Sequence, residues 1–153
     1  MSTNLMTTST IAGIAFLALL LGVCSSSLEG GYVGSVNISS LDSSRQHWSE
    51  TDESVFALVT EEAGMRAVEF SATGLISNCK LEVESRSKRG DLTATQTCEV
   101  TLKGMTEFLK VDYLSFTSAS GVGPGGIIIT IRGRTNGDKS VTIVFQGLPQ
   151  EKK

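Results

Sequence analysis

The chain has 153 residues, 13 Lys+Arg against 16 Asp+Glu, a formal net charge of −3, one His, one Trp and three Cys. That length fits a single domain of ordinary size. The weak acidic balance excludes the strong overall basicity of a nucleic-acid binder, and the His and Cys counts exclude His-rich metal sites and disulfide-dense mini-scaffolds.

No charged side chain occurs before Glu29. Ile11 to Val23 (IAGIAFLALLLGV) is an unbroken apolar run of 13 residues. As a helix at about 1.5 Å per residue it spans roughly 20 Å, short of the ~30 Å hydrocarbon core and suited to the central part of a signal peptide. It is followed by Cys24-Ser25-Ser26-Ser27 and then Gly30-Gly31. Leu21-Gly22-Val23-Cys24-Ser25 resembles a bacterial lipoprotein signal, in which the Cys is acylated and becomes the mature N-terminus. Val23 stands where that family has Gly, Ala or Ser. The resemblance implies an export signal over 1–23, a lipid-bearing Cys24 and a Ser/Gly-rich tether over 24–31. Plain cleavage near Ser25 or Ser26, an uncleaved anchor helix and an apolar start to a cytosolic chain are the other readings.

The remainder alternates in short segments between turn signals, the pattern of an all-β domain over 32–147 with a polar tail at 148–153. Tyr32, Gly34, Val36 and Ile38 share one face of the first segment, with Val33, Ser35, Asn37 and Ser39 opposite. Residues 39–53 are polar and read as a long loop. Val55–Thr60 and Arg66–Ala72 are the next two strands, joined by a turn through Glu62-Ala63-Gly64-Met65, with Val68, Phe70 and Ala72 on one face.

In 79–85, Cys79, Leu81 and Val83 alternate with Lys80, Glu82 and Glu84. In 92–102, Leu92, Ala94, Cys98, Val100 and Leu102 form the apolar face, interrupted by Gln96. A hairpin with Lys88 and Arg89 at its tip sets Cys79 opposite Cys98, Leu81 opposite Gln96 and Val83 opposite Ala94. Directly opposed non-hydrogen-bonded positions have Cα atoms about 4.5 Å apart, within disulfide range, so a Cys79–Cys98 bridge is expected. Cys24 is then the odd cysteine, and either acylation or removal with the signal accounts for it.

Residues 108–117 read as a bulged strand and 121–126 (GVGPGG) as a loop. The last two segments place Ile127, Ile129 and Ile131 opposite Phe145, Ile143 and Val141, across a three-residue Thr135-Asn136-Gly137 loop with Gly137 in the left-handed position. The sum is about eight antiparallel strands closing as an up-and-down barrel, with a two-sheet sandwich as the alternative. The succession of Cys, paired alternating strands, Cys, a Gly-turned strand and a closing hairpin over about 30–147 looks like the small calycin-like β-barrel domains of Gram-negative envelope lipoproteins. That resemblance implies a fold and an envelope location but no catalytic residues; the exported chain is expected at the outer membrane or cell surface if acylated, and in the periplasm or extracellular space if cleaved without acylation.

No catalytic constellation is legible. His47, the only histidine, lies beside Trp48 in the polar stretch, where both are candidate loop contacts. Ser residues are too many to select a nucleophile, and there is no Gly-x-Ser-x-Gly elbow. His47 with Asp42, Glu50, Asp52 and Glu53 lacks the spacing of a calcium loop. The Gly run at 121–126 lacks the Gly-Lys-Ser/Thr of a phosphate loop. Arg86, Lys88 and Arg89 are either a solubilising charged turn or a contact for an anionic envelope surface. The expectation is therefore a non-enzymatic exported protein without metal or cofactor. Its partners would be the membrane, through Cys24, and an envelope protein, a glycan or a small apolar ligand, with no nucleic acid. A structural or adhesive surface component is the alternative.

Overall fold

The computed structural model describes residues 27–87 and 90–151. The signal segment, Cys24, Lys88 and Arg89 lie outside the described residues. The described chain is all β: β1 (Gly30–Leu41), β2 (His47–Glu62), β3 (Met65–Phe70), β4 (Ile76–Ser77), β5 (Lys80–Glu84), β6 (Asp91–Leu102), β7 (Met105–Ser118), β8 (Ile127–Thr135) and β9 (Ser140–Pro149). They form one antiparallel sheet in the order β4-β6-β7-β8-β9-β1-β2-β3-β5. It is a single curled, half-barrel sheet rather than two facing ones.

The curl follows from the chain path. β4 is paired to β6 at one edge and β5 to β3 at the other, yet only Asn78 and Cys79 separate them in sequence. The edges therefore lie side by side. Bulges and glycines supply the bending. Gly34 pairs with Val55 but Val36 with Asp52, so β2 holds an extra residue there. Val111 pairs with Gly133 and Tyr113 with Arg132, which leaves Asp112 as the extra residue of β7. Gly34 and Gly133 sit at these bends, and a Cβ would lie 1.9 Å from the Gln146 carbonyl oxygen at the first and 2.2 Å from that of Lys110 at the second.

The concave face is apolar and dry. Val36, Ile38, Val55, Ala57, Val59, Val68, Leu81, Val100, Leu109, Leu114, Ile127, Ile129, Ile131, Ile143 and Phe145 are all fully buried in one core. The alternation read in the first segment, in Cys79–Glu84 and in the last two strands is the alternation observed, and Tyr32 is buried as a core residue. Ala72 lies beyond β3 and is exposed.

Four details differ from the sequence reading. Residues 39–41 and 47–53 are strand, and only 42–46 of the expected 39–53 loop is loop: Ser49, Trp48 and His47 pair with Ser39, Ser40 and Leu41. The β2 bulge shifts the inward parity from Val55, Ala57 and Val59 to even-numbered residues, so the period-2 signal is broken midway. Asn37 Nδ2 ties the polar outer face by donating to Ser49 Oγ at 3.1 Å and Thr51 Oγ1 at 2.9 Å.

Second, β5 ladders with β3 and not with β6. Residues 92–95 of β6 bow out between the Asp91↔Tyr113 and Gln96↔Val111 pairs, which leaves Ala94 exposed and away from a pairing with Val83. Third, the final hairpin is shifted by two positions, with Ile129 opposite Phe145 and Ile131 opposite Ile143. Its left-handed residue is Asp138 (φ 57°) rather than Gly137, and Arg134 pairs with it at 3.1 Å. The observed register keeps two apolar pairs and sets Ile127 opposite Gly147 and Val141 opposite Gly133, where the expected one had three apolar pairs. Fourth, the strands number nine because of the two-residue β4.

The Cys79–Cys98 disulfide is present, with Cα atoms 4.4 Å apart and both residues buried. It joins the two edges of the sheet. Beside it, the Gln96 side chain accepts a hydrogen bond from the Glu82 N–H through Oε1 and donates to the Glu82 carbonyl through Nε2, each at 2.7 Å. A carboxamide has the donor and acceptor of a peptide group. Gln96 thus performs across the β5/β6 gap what a backbone ladder performs elsewhere.

Candidate binding end of the sheet

Register assigns the connections to two ends. At one end lie the start of β1, the β2–β3 turn, the β5–β6 connection, the β7–β8 loop and the end of β9. The β2–β3 turn is a two-residue Ala63-Gly64 hairpin with positive φ at both residues (51° and 80°), the type I′ geometry that matches strand twist. Ser85 N–H donates to the Gly64 carbonyl at 2.8 Å and Leu114 N–H to that of Gly90 at 2.8 Å, which pins the β5–β6 connection over this end. The other end carries the β1–β2 loop and the β6–β7 and β8–β9 turns.

The first end is a mouth. A cavity of about 800 Å³ opens between the β2–β3 turn, the end of β5 and the incoming Ser27, lined by Glu61, Glu62, Met65, Arg66, Glu84, Ser85 and Arg86. Two smaller ones of about 310 Å³ adjoin it: one in the β5/β6 gap, with Met65, Val83, Leu92 and Ala94, and one under Arg66 and Ser85 beside Tyr113–Thr117.

Arg66 organises the mouth. Its position on β3 has the parity of buried Val68 and Phe70, so its side chain points inward at the last turn before solvent. Nη2 donates to Glu61 Oε1 at 3.1 Å, and the guanidinium carbon lies 5.5 Å from the centroid of the Phe116 ring. The Arg66 side chain retains only 17% of its exposure. Its Nε and the Ser85 Oγ are buried without a hydrogen-bond partner among the described residues. A donor left so costs about 1–3 kcal/mol, which an oxygen acceptor brought into the cavity would recover. Below it, Tyr32 donates its phenolic O–H to the Leu28 carbonyl at 2.8 Å, and Leu28 packs on the core as a stopper. Burial pushes the Tyr32 phenol above its ordinary pKa, against the opposing pull of Arg66.

Of the residues singled out in the sequence, Arg86 lines this mouth and is exposed. His47 and Trp48 begin β2 at the opposite end, His47 exposed and Trp48 packed against the core. They are strand residues and do not join Arg86. Arg66, Ser85 and Phe116 were missed as site residues. The signal for the first two was parity, since Arg66 follows the phase of Val68 and Ser85 that of Leu81 and Val83.

The chemistry on offer is recognition: a donor-rich guanidinium edge and a hydroxyl against an aromatic wall. Among the described residues no cluster of three or more His, Cys, Asp or Glu side chains could hold a metal. Comparison with protein-family models, with curated proteins and with solved structures finds no match to this chain.

Proposed function

We propose that the chain is an exported cell-envelope protein, held to a membrane by a lipid on Cys24, that folds as a small up-and-down, calycin-like barrel and binds a ligand or envelope partner without catalysis. The signal-like apolar run ahead of a small cysteine-bridged β domain supports export, because disulfides persist in oxidising compartments. The observation that carries the binding half is the inward Arg66 in the mouth, its Nε and the neighbouring Ser85 Oγ without a partner among the described residues and Phe116 alongside. The interior itself is filled by Ile, Val, Leu and Phe side chains, which favours a ligand seated at the mouth over one swallowed by the barrel. Glu61 already offsets the Arg66 charge, so the favoured ligand presents oxygen acceptors, as a glycan, a carboxylate or a phosphate does.

Two measurements test this. The intact mass of the protein from its host is expected to lack residues 1–23, to carry acyl chains at Cys24 and to be two hydrogens short. An unprocessed mass removes the export reading. Thermal upshift on titration with inorganic phosphate, acetate and a panel of oligosaccharides tests binding. An upshift in the parent that is lost in Arg66→Gln supports the mouth, and one that persists in that variant places the site elsewhere. Size-exclusion separates the structural alternative, which requires self-association.

A further inference from the structure

The outer face of the sheet carries an apolar patch beside the mouth. Val33 (47% exposed) is paired with Leu148 (43%) on β9 and with Phe56 on β2, and Leu58 (42%) is paired with Gly31. The four side chains therefore cover three adjacent strands without interruption. Gly31 leaves room for the Phe56 ring, which a Cβ there would meet at 2.9 Å. The charge next to the patch is Glu69, opposite Leu58, and Lys80 lies 3.8 Å from its carboxylate.

We infer that this patch rests on the lipid bilayer, with the barrel leaning on β9, β1 and β2. The argument is the length of chain available. Ser27 is three residues from Cys24 and four from Val23, where the apolar run ends. At 3.3–3.6 Å per residue the first connection spans at most about 10 Å and the second about 14 Å. A lipid on Cys24, or the apolar run itself if it stays, holds this end of the domain within that distance of the membrane. Gly31 and Val33 follow Ser27 by four and six residues, so the patch is drawn to the interface, whereas exposed Leu41, Met105 and Phe108 are carried on the opposite half. Apolar side chains at the headgroup level bind by area removed from water. The inference rests on the membrane-attachment part of the proposed function.

The experiment uses the full chain, purified from membranes and reconstituted into phosphatidylethanolamine–phosphatidylglycerol vesicles with brominated acyl chains. The single parental Trp48, at the far end, supplies the background. Leu58→Trp is expected to be quenched at least twofold more than Met105→Trp, and Val33→Glu in the Leu58→Trp chain to remove that excess while leaving the melting temperature unchanged. Pelleting with vesicles but equal quenching of the two tryptophans overturns the docking and leaves attachment standing. A blue-shifted, unquenched tryptophan at 58 also overturns it, in favour of a second copy or the chain's own apolar run on the patch. Failure to pellet with vesicles overturns attachment and docking together.

Discussion

Replacing Gln96 with alanine isolates the side chain that stands in for a backbone ladder. Both carboxamide hydrogen bonds to Glu82 are lost, and no other described group bridges β5 and β6 at that level except the neighbouring disulfide. A net hydrogen bond is worth about 0.5–1.5 kcal/mol, and the pair is solvent-accessible, so water re-solvates Glu82 in part. The expected loss is therefore about 1–2 kcal/mol, a sizeable share of the ~5–15 kcal/mol of a typical domain. For a domain of this size that lowers the melting temperature by roughly 4–8 °C. Urea unfolding with the disulfide intact measures it as a shift in midpoint at unchanged slope. Gln96→Glu is the sharper control. It keeps the acceptor for the Glu82 N–H but sets a carboxylate oxygen against the Glu82 carbonyl, and it is expected to be at least as damaging as alanine. A Gln96→Ala stability within about 0.3 kcal/mol of the parent refutes the reasoning, because the carboxamide would then be ornamental to the join.

Removing both Cys79 and Cys98 by alanine substitution is expected to cost about 3 kcal/mol on the chain-entropy model for a bridge spanning 19 residues. Combined with Gln96→Ala it is expected to deviate from additivity by more than about 0.5 kcal/mol in a double-mutant cycle, since both hold one gap. Gly34→Ala and Gly133→Ala each force a methyl into a backbone carbonyl at a bend. Losses of roughly 1–3 kcal/mol or more are expected in the same urea assay, with little change at exposed, open Gly74 as the control. Burial raises the Glu107 pKa, but the hydrogen-bonded Lys139 ammonium outweighs it and the net value is lowered. A carboxyl depressed in the folded state stabilises above its unfolded value of about 4.3, and that contribution drains away as pH falls through the folded value. Glu107→Gln is thus expected to lower stability by about 1 kcal/mol at pH 7 and to flatten the acid limb of the pH–stability curve.

What the sequence makes legible here is phase, and what it hides is register. Alternation in Cys79–Glu84 or Ile127–Arg132 states which residues face the core, and parity alone would have found Arg66 and Ser85. Register needs a second constraint. In the final hairpin apolar matching favours the register that is not adopted: the observed one sets Gly147 opposite Ile127 and Gly133 opposite Val141, with Asp138 left-handed in the turn and paired to Arg134. The cysteine pair was readable because two bridged residues must share a face. The accompanying ladder was not, because Gln96, seen as a polar interruption, replaces it. The polar strand at 47–53 was hidden by a bulge that inverts its phase and by serine and threonine partners that carry no hydropathy signal.

The pairing of the first strand with the last sets the order of assembly. Tyr32 meets Pro149 and Leu41 meets Ser140, so one side of β1 stays without its neighbour until residues 140–149 have been made. A contact between such distant positions carries the largest loop-closure penalty in the domain and is slow to form. Until it forms, the β1–β2 hairpin exposes Val36 and Ile38 on an unpaired margin, a template for a neighbouring nascent chain.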